Sequence, residues 1–137
     1  MAEKVEFELV SPEQLLLSEA VEMVVVPGSE GDFGVLAGHS ATISSIRPGV
    51  IAVFEDGAVT SRIFVSGGFA EVTPERCTVL ADDAVPVGEI DRDALEKSIA
   101  DLRDDVGAAP DEANKAAAET ALAIAEAKLA AITAPVY

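Results

Sequence analysis

The sequence is poor in the side chains that do chemistry. Among 137 residues there are one Cys, one His, no Trp and one Tyr. A nucleophile–histidine pair could draw only on His39, and a zinc site has no second imidazole or thiolate to build on. Cys77, alone in the strand-like RCTVLA, has no disulfide partner and reads as a small, half-buried thiol. Basic residues are scarce too: nine face 25 acidic ones, for a net charge of −16. Such a protein cannot displace counterions from a phosphate backbone, and anionic lipid repels it. No apolar run approaches the roughly 20 residues of a membrane span. No charged-then-apolar leader opens the chain, so a soluble protein on the cytoplasmic side is expected, with no direct membrane insertion. Five Phe and one Tyr leave little stacking surface for sugars. These absences point away from an enzyme, a metal or a cofactor, and toward a protein that works by contact.

What is present is organised around residues 21–40, VEMVVVPGSEGDFGVLAGHS. Val21, Met23 and Val25 alternate with Glu22 and then run into continuous apolar sequence, which predicts a strand. Pro27-Gly28 is expected to end it, since proline removes a donor and glycine permits a sharp turn. A glycine loop with Glu30 and Asp32 inside it is a poor phosphate cradle, because no basic partner and no helix start follow. It reads instead as an acidic hairpin tip that presents its backbone and Phe33 to another protein.

The flanking sequence is strand-like. KVEFELV alternates Val5, Phe7 and Leu9 against Lys4, Glu6 and Glu8. Residues 13–17 and the stretch after Ser18 predict the second and third strands. Thr42–Ile46 precedes the breaker Arg47-Pro48-Gly49. Val50–Phe54 and Ala58–Val65 flank Asp56-Gly57, a strong hairpin signal. Gly67-Gly68 suits a bulge or a close backbone approach, Phe69–Thr73 follows, and Cys77–Ala81 is expected to be the last strand. Short strands with regular turns predict an all-β N-terminal domain, an antiparallel β-sandwich or flattened barrel over residues 1–86.

Residues 87–137 change regime. Leu95, Ile99, Leu102 and Val106 fall four, three and four apart, one face of a helix that Asp91 can cap. Gly107 is expected to stop that helix and Pro110 to open the next, with Asp111 and Glu112 at its positive end. Ala118, Leu122, Ala125, Leu129 and Ile132 form the facing stripe, and Pro135 ends it. The prediction is a C-terminal antiparallel α-helical hairpin. From Val85 onward eleven acidic residues face five basic ones.

SEGDFGVLAGHS, followed by VSGGFAEV and TVLADDA, resembles the epsilon subunit of the bacterial F-type ATP synthase, and the resemblance runs the length of the sequence. It implies a non-catalytic central-stalk (rotor) subunit in a complex on the cytoplasmic face of the bacterial inner membrane. Its sandwich would bind the γ subunit and the polar loops of the c ring, coupling proton-driven rotation to catalysis. It places the interface at Glu30, Gly31, Asp32, Phe33, Gly34 and His39. It makes the helical hairpin a movable regulatory element, folded on the sandwich or extended toward the α/β catalytic head. An ATP-sensing module is the alternative, since some family members bind ATP through a motif like Ile-Asp-x-x-Arg-Ala. Here Ala94 occupies the arginine position of Ile90-Asp91-Arg92-Asp93-Ala94, which leaves Asp91, Arg92 and Arg103 as candidates. Insertion of so acidic a hairpin among the catalytic subunits is unfavourable, which predicts weak inhibition of hydrolysis.

Overall fold

The computed structural model describes residues 3–137, which divide into two compact units. One reaches to Gly88 and includes Tyr137; the other is Glu89–Val136.

The first unit holds ten strands among the described residues: β1 (Val5–Val10), β2 (Leu15–Val21), β3 (Met23–Gly28), β4 (Gly31–Leu36), β5 (Thr42–Ile46), β6 (Gly49–Glu55), β7 (Ala58–Val65), β8 (Gly68–Val72), β9 (Arg76–Ala81) and β10 (Ala84–Pro86). They hydrogen-bond in the order β10-β7-β6-β3-β5-β8-β9-β1-β2, with β4 paired to β3 off that path. This one sheet curls on itself into a sandwich, so its inward faces share a single core. The alternation read from the sequence sets that core: Val5, Phe7 and Leu9 of β1 meet Cys77 and Val79 of β9, joined by Val24, Val26, Ile51, Val53 and Val72.

Four expectations need correction. The second strand runs through Ser18 and breaks only at Glu22, because β1 pairs with it from Val5↔Val21 to Val10↔Leu15. Gly31–Leu36 is a strand rather than a loop, in register with β3 from Met23↔Leu36 to Gly28↔Gly31. Cys77–Ala81 is not the last strand, since Ala84–Pro86 pairs with β7. Pairing is not wholly antiparallel either: β1 lies parallel to β9, with Phe7 opposite Cys77. The Asp56-Gly57 hairpin forms as expected, both residues left-handed at φ 53° and 74°.

The second unit holds α1 (Arg92–Ala108) and α2 (Glu112–Thr133), joined through Ala109–Asp111. Each is capped as its sequence asks: Asp91 accepts from the Ala94 N–H (3.1 Å), and Asp111 from the Asn114 N–H (2.8 Å). Leu95 and Ile99 pack with Ala125, flanked by Leu102, Leu122, Leu129 and Ile132. Gly107 does not stop α1, which continues to Ala108, and Pro110 precedes the Asp111 cap rather than opening α2.

Candidate functional site

The β3–β4 hairpin turns through Ser29-Glu30 alone, so the acidic tip is tighter than a loop. Gly28 is obligatory there. A Cβ on it would lie 2.8 Å from the Gly31 carbonyl oxygen and 2.9 Å from the Phe33 ring. Phe33 therefore lies back over Gly28, half-buried against the core, and is not presented outward.

Arg47 braces the tip, a role its place in a predicted turn did not signal. Its guanidinium donates to the Gly28 carbonyl and to Asp32 Oδ1, and its backbone N–H donates to the Pro27 carbonyl (3.0 Å). Asp32 Oδ2 accepts from the Tyr137 O–H at 2.8 Å. Both Asp32 oxygens are thus engaged inside the unit, while Glu30 stands exposed at the turn.

His39 is not part of this tip. It follows the far end of β4, where the Gly38 N–H donates to the Pro74 carbonyl (2.7 Å) and the ring Nδ1 meets the Ser40 carbonyl (2.7 Å). The tip pairs with the opposite end of β5, at Gly28↔Ile46. A six-residue strand at about 3.3 Å per residue separates the two by roughly 20 Å. The expected interface residues therefore fall into two places.

Between those places lies a surface that the sequence reading passed over. Along the outward face of β5, β8 and β9, Ile43 is 77%, Phe69 57% and Leu80 51% exposed. Registration makes them neighbours: Phe69 pairs with Leu80, and Ile43 lies opposite Glu71, two residues along β8 from Phe69. On the next strand Val10 pairs with Leu80. The rim is charged, with Glu71 exposed and Arg76 paired to Glu8 at 3.1 Å. An apolar centre with a polar rim is the anatomy of a protein-binding face. The available signal was inverted size alternation in β8, where the smaller Ala70 and Val72 are buried and Phe69 is exposed.

Comparison with known proteins agrees from end to end. Residues 4–87 match the family described as ATP synthase, Delta/Epsilon chain, beta-sandwich domain, and residues 91–136 match the C-terminal domain of the ATP synthase epsilon chain. The ATP synthase epsilon chain of Rhodospirillum rubrum is 55% identical over 131 residues, covering 96% of this chain and 98% of its own. That of Rhodospirillum centenum is 54% identical over 134 residues, 94% and 92% of the two chains. The chain belongs to the ATP synthase epsilon family. Its fold superposes on a chain of the Euglena gracilis mitochondrial ATP synthase, in an assembly of OSCP, F1 and c-ring, with TM-score 0.84 and 32% identity over 96% of this chain and 83% of that one. A chain of the Tetrahymena thermophila central stalk/c-ring shares the fold at TM-score 0.69 and 20% identity, covering 96% and 98%.

Epsilon chains are non-catalytic ATP synthase subunits, and the side chains fit that role. Cys77 is wholly rather than half buried, and burial pushes its thiol up to about 12, where it is no nucleophile. Among the described residues no helix is long and apolar enough to cross a membrane. The nucleotide candidates are dispersed. Asp91 caps α1, Arg92 pairs with Glu96 at 3.0 Å, and Arg103 faces Glu126 of α2 at 4.0 Å. Arg92 and Arg103 lie about three turns apart, roughly 16 Å along the axis, too far to fork one phosphate.

Proposed function

We propose that this epsilon subunit is the docking piece of the central stalk, taking the γ subunit on the β5-β8-β9 face and the polar loops of the c ring at the Glu30 tip. It thereby couples rotation of the ring to the catalytic head without chemistry of its own. The observation that carries this reading is the exposed Ile43-Phe69-Leu80 face, an apolar patch on a protein of net charge −16. So acidic a surface keeps the protein apart from most others, and an apolar patch within it, with Glu71 beside Ile43, selects a partner by shape and burial. His39 lies beside the β5 end of this face and Glu30 at the other end, which fits two partners meeting one subunit. Operation on the cytoplasmic face of the bacterial inner membrane follows from the same reading.

The helical unit is then a regulatory element that restrains hydrolysis only weakly, since its eleven acidic residues disfavour insertion among the catalytic subunits. The nucleotide-sensing alternative has no support from the spacing of Arg92 and Arg103.

The test separates the two contacts. Phe69→Ser with Leu80→Ser should weaken γ binding by roughly a hundredfold, as expected for two anchors of a few kcal/mol together. Glu30→Lys should leave γ binding unchanged and reduce coupled proton pumping in the assembled synthase. Undiminished γ binding by the double variant would sink the assignment of the face.

A further inference from the structure

Tyr137 follows the end of α2 and Pro135, yet it belongs with the β unit. Three contacts hold it there. Its O–H donates to Asp32 Oδ2 (2.8 Å), Arg62 Nε donates to its carbonyl oxygen (2.7 Å), and its ring stands edge-on to Phe54 with centroids 6.1 Å apart at 87°. Asp32 is the carboxylate whose other oxygen takes the Arg47 guanidinium, and Arg47 also holds the Gly28 carbonyl. One side chain therefore joins the brace of the hairpin tip to the residue that follows the last helix.

We propose that Tyr137 is a latch whose keeper is the Asp32–Arg47 brace, so that the state of the tip and the state of the tail are linked. A basic side chain of a partner that draws on Asp32 loosens the tail, and a tail that leaves frees one Asp32 oxygen for a partner. Linkage makes these one statement read from two ends. The direction of proton binding agrees. Burial, the hydrogen bond to Asp32 and the Asp32 charge raise the Tyr137 phenol above its ordinary value, with Arg47 opposing. The charged groups facing it are Asp32 of β4, Arg47 of the β5–β6 connection and Arg62 of β7. A phenolate could not donate to Asp32 and would be repelled by it. The latch thus holds below the ordinary phenol range, near 10, and opens as pH rises through the raised value.

The test uses this 137-residue chain alone, so it stands or fails independently of the stalk reading. With one Tyr and no Trp, tyrosinate absorbance reports Tyr137 directly. The phenol should titrate above its ordinary value, and Asp32→Asn, which removes the charge but not the burial, should lower it toward that value. The Ala134 amide, bonded to the Ala130 carbonyl at 2.9 Å, should exchange about fivefold faster in Tyr137→Phe and in Asp32→Asn, the loss of one hydrogen bond. Arg62→Gln, which removes a contact away from the brace, should speed that exchange without lowering the phenol as Asp32→Asn does. A phenol that titrates ordinarily in the parent protein, or Ala134 exchange that neither Tyr137→Phe nor Asp32→Asn changes, overturns the proposal.

Discussion

The two units of this protein are stabilised in different ways. In the β unit, Val5, Phe7, Val24, Val26, Val35, Ile51 and Val53 are fully buried, drawn from strands far apart in sequence. In the helical unit only Leu95, Ile99, Ala125 and Ala131 fall among the buried residues, each still 4–8% exposed. The first unit is a closed core, in which any change of volume or backbone is transmitted to its neighbours. The second is two capped helices, the second of them alanine-rich, sharing a thin seam, and its stability rests on helix propensity as well as on packing. A thin seam opens at low cost, which suits the regulatory role proposed for it. The same substitution should therefore have different consequences in the two units.

The largest difference is expected at glycine. Gly68 sits at φ 136°, and a Cβ there would lie 2.0 Å from the Leu80 carbonyl oxygen, a backbone atom of the paired strand that cannot step aside. Gly68→Ala must break the β8–β9 ladder or move it, a loss of about 4 kcal/mol or more. Urea denaturation followed by circular dichroism measures it. A variant within about 1 kcal/mol of the parent would mean that the sheet bends far more easily than its packing implies.

Next in size is alkaline pH, whose main effect should fall on the core of the β unit. The Cys77 thiol, ordinarily ionising near 9, holds its proton up to about 12 in the fold, because burial penalises the thiolate. Between those values the unfolded state binds fewer protons than the native one, so stability is full below 9 and falls as pH rises. The loss approaches about 4 kcal/mol by pH 12. Cys77→Ala should remove most of this slope, leaving the part due to Tyr137, while lowering stability at neutral pH. Parent and variant curves that run parallel from pH 8 to 12 would show that Cys77 ionises freely.

Smaller again is Leu95→Ala. Its side chain fills the α1–α2 seam, and its loss should cost about 2 kcal/mol, the low end for a buried leucine since the site is already partly open. Amide exchange should accelerate in α1 and α2 and stay unchanged in β1 and β9. Equal acceleration in both units would show that they unfold together.

Legibility followed the same division. Strands whose two faces differ could be read directly: β1 through Val5, Phe7 and Leu9, and β9 through Cys77, Val79 and Ala81, which are buried while their alternates are not. The helices were read from spacing that needs no partner. What escaped was set by distant residues. Gly31, Asp32 and Gly34 have poor strand propensity, and β4 forms because β3 offers it a full ladder. The three residues of β10 carry no pattern, and the parallel β1–β9 pairing joins segments some 70 residues apart. Arg47 looked like part of a breaker, because its partners at Gly28 and Asp32 become neighbours only once β5 returns beside β3. The outward face escaped for a related reason: Ile43, Phe69 and Leu80 are single apolar residues in three segments, and only the register makes them a patch.

The smallest expected effect has the opposite sign from the first. Gly107 looked like a helix stop, which would require a left-handed residue whose replacement by alanine is costly. In the structure α1 passes through it, it is absent from the positive-φ glycines, and a Cβ added there meets nothing within 4 Å. Alanine at that position removes backbone freedom from the unfolded state and adds no clash, so Gly107→Ala should stabilise the helical unit by about 0.5 kcal/mol. The gain is near the low end because the site lies next to the helix end, where fraying already dilutes propensity. It should appear as slower amide exchange in the last turn of α1 and nowhere in the sheet. A loss of about 1 kcal/mol instead would mean that the helix does end at a left-handed glycine in solution, and that the sequence signal was correct. Set beside Gly68→Ala, the result tests the central difference between the units: the same methyl group disrupts a ladder in one and lengthens the ordered part of a helix in the other.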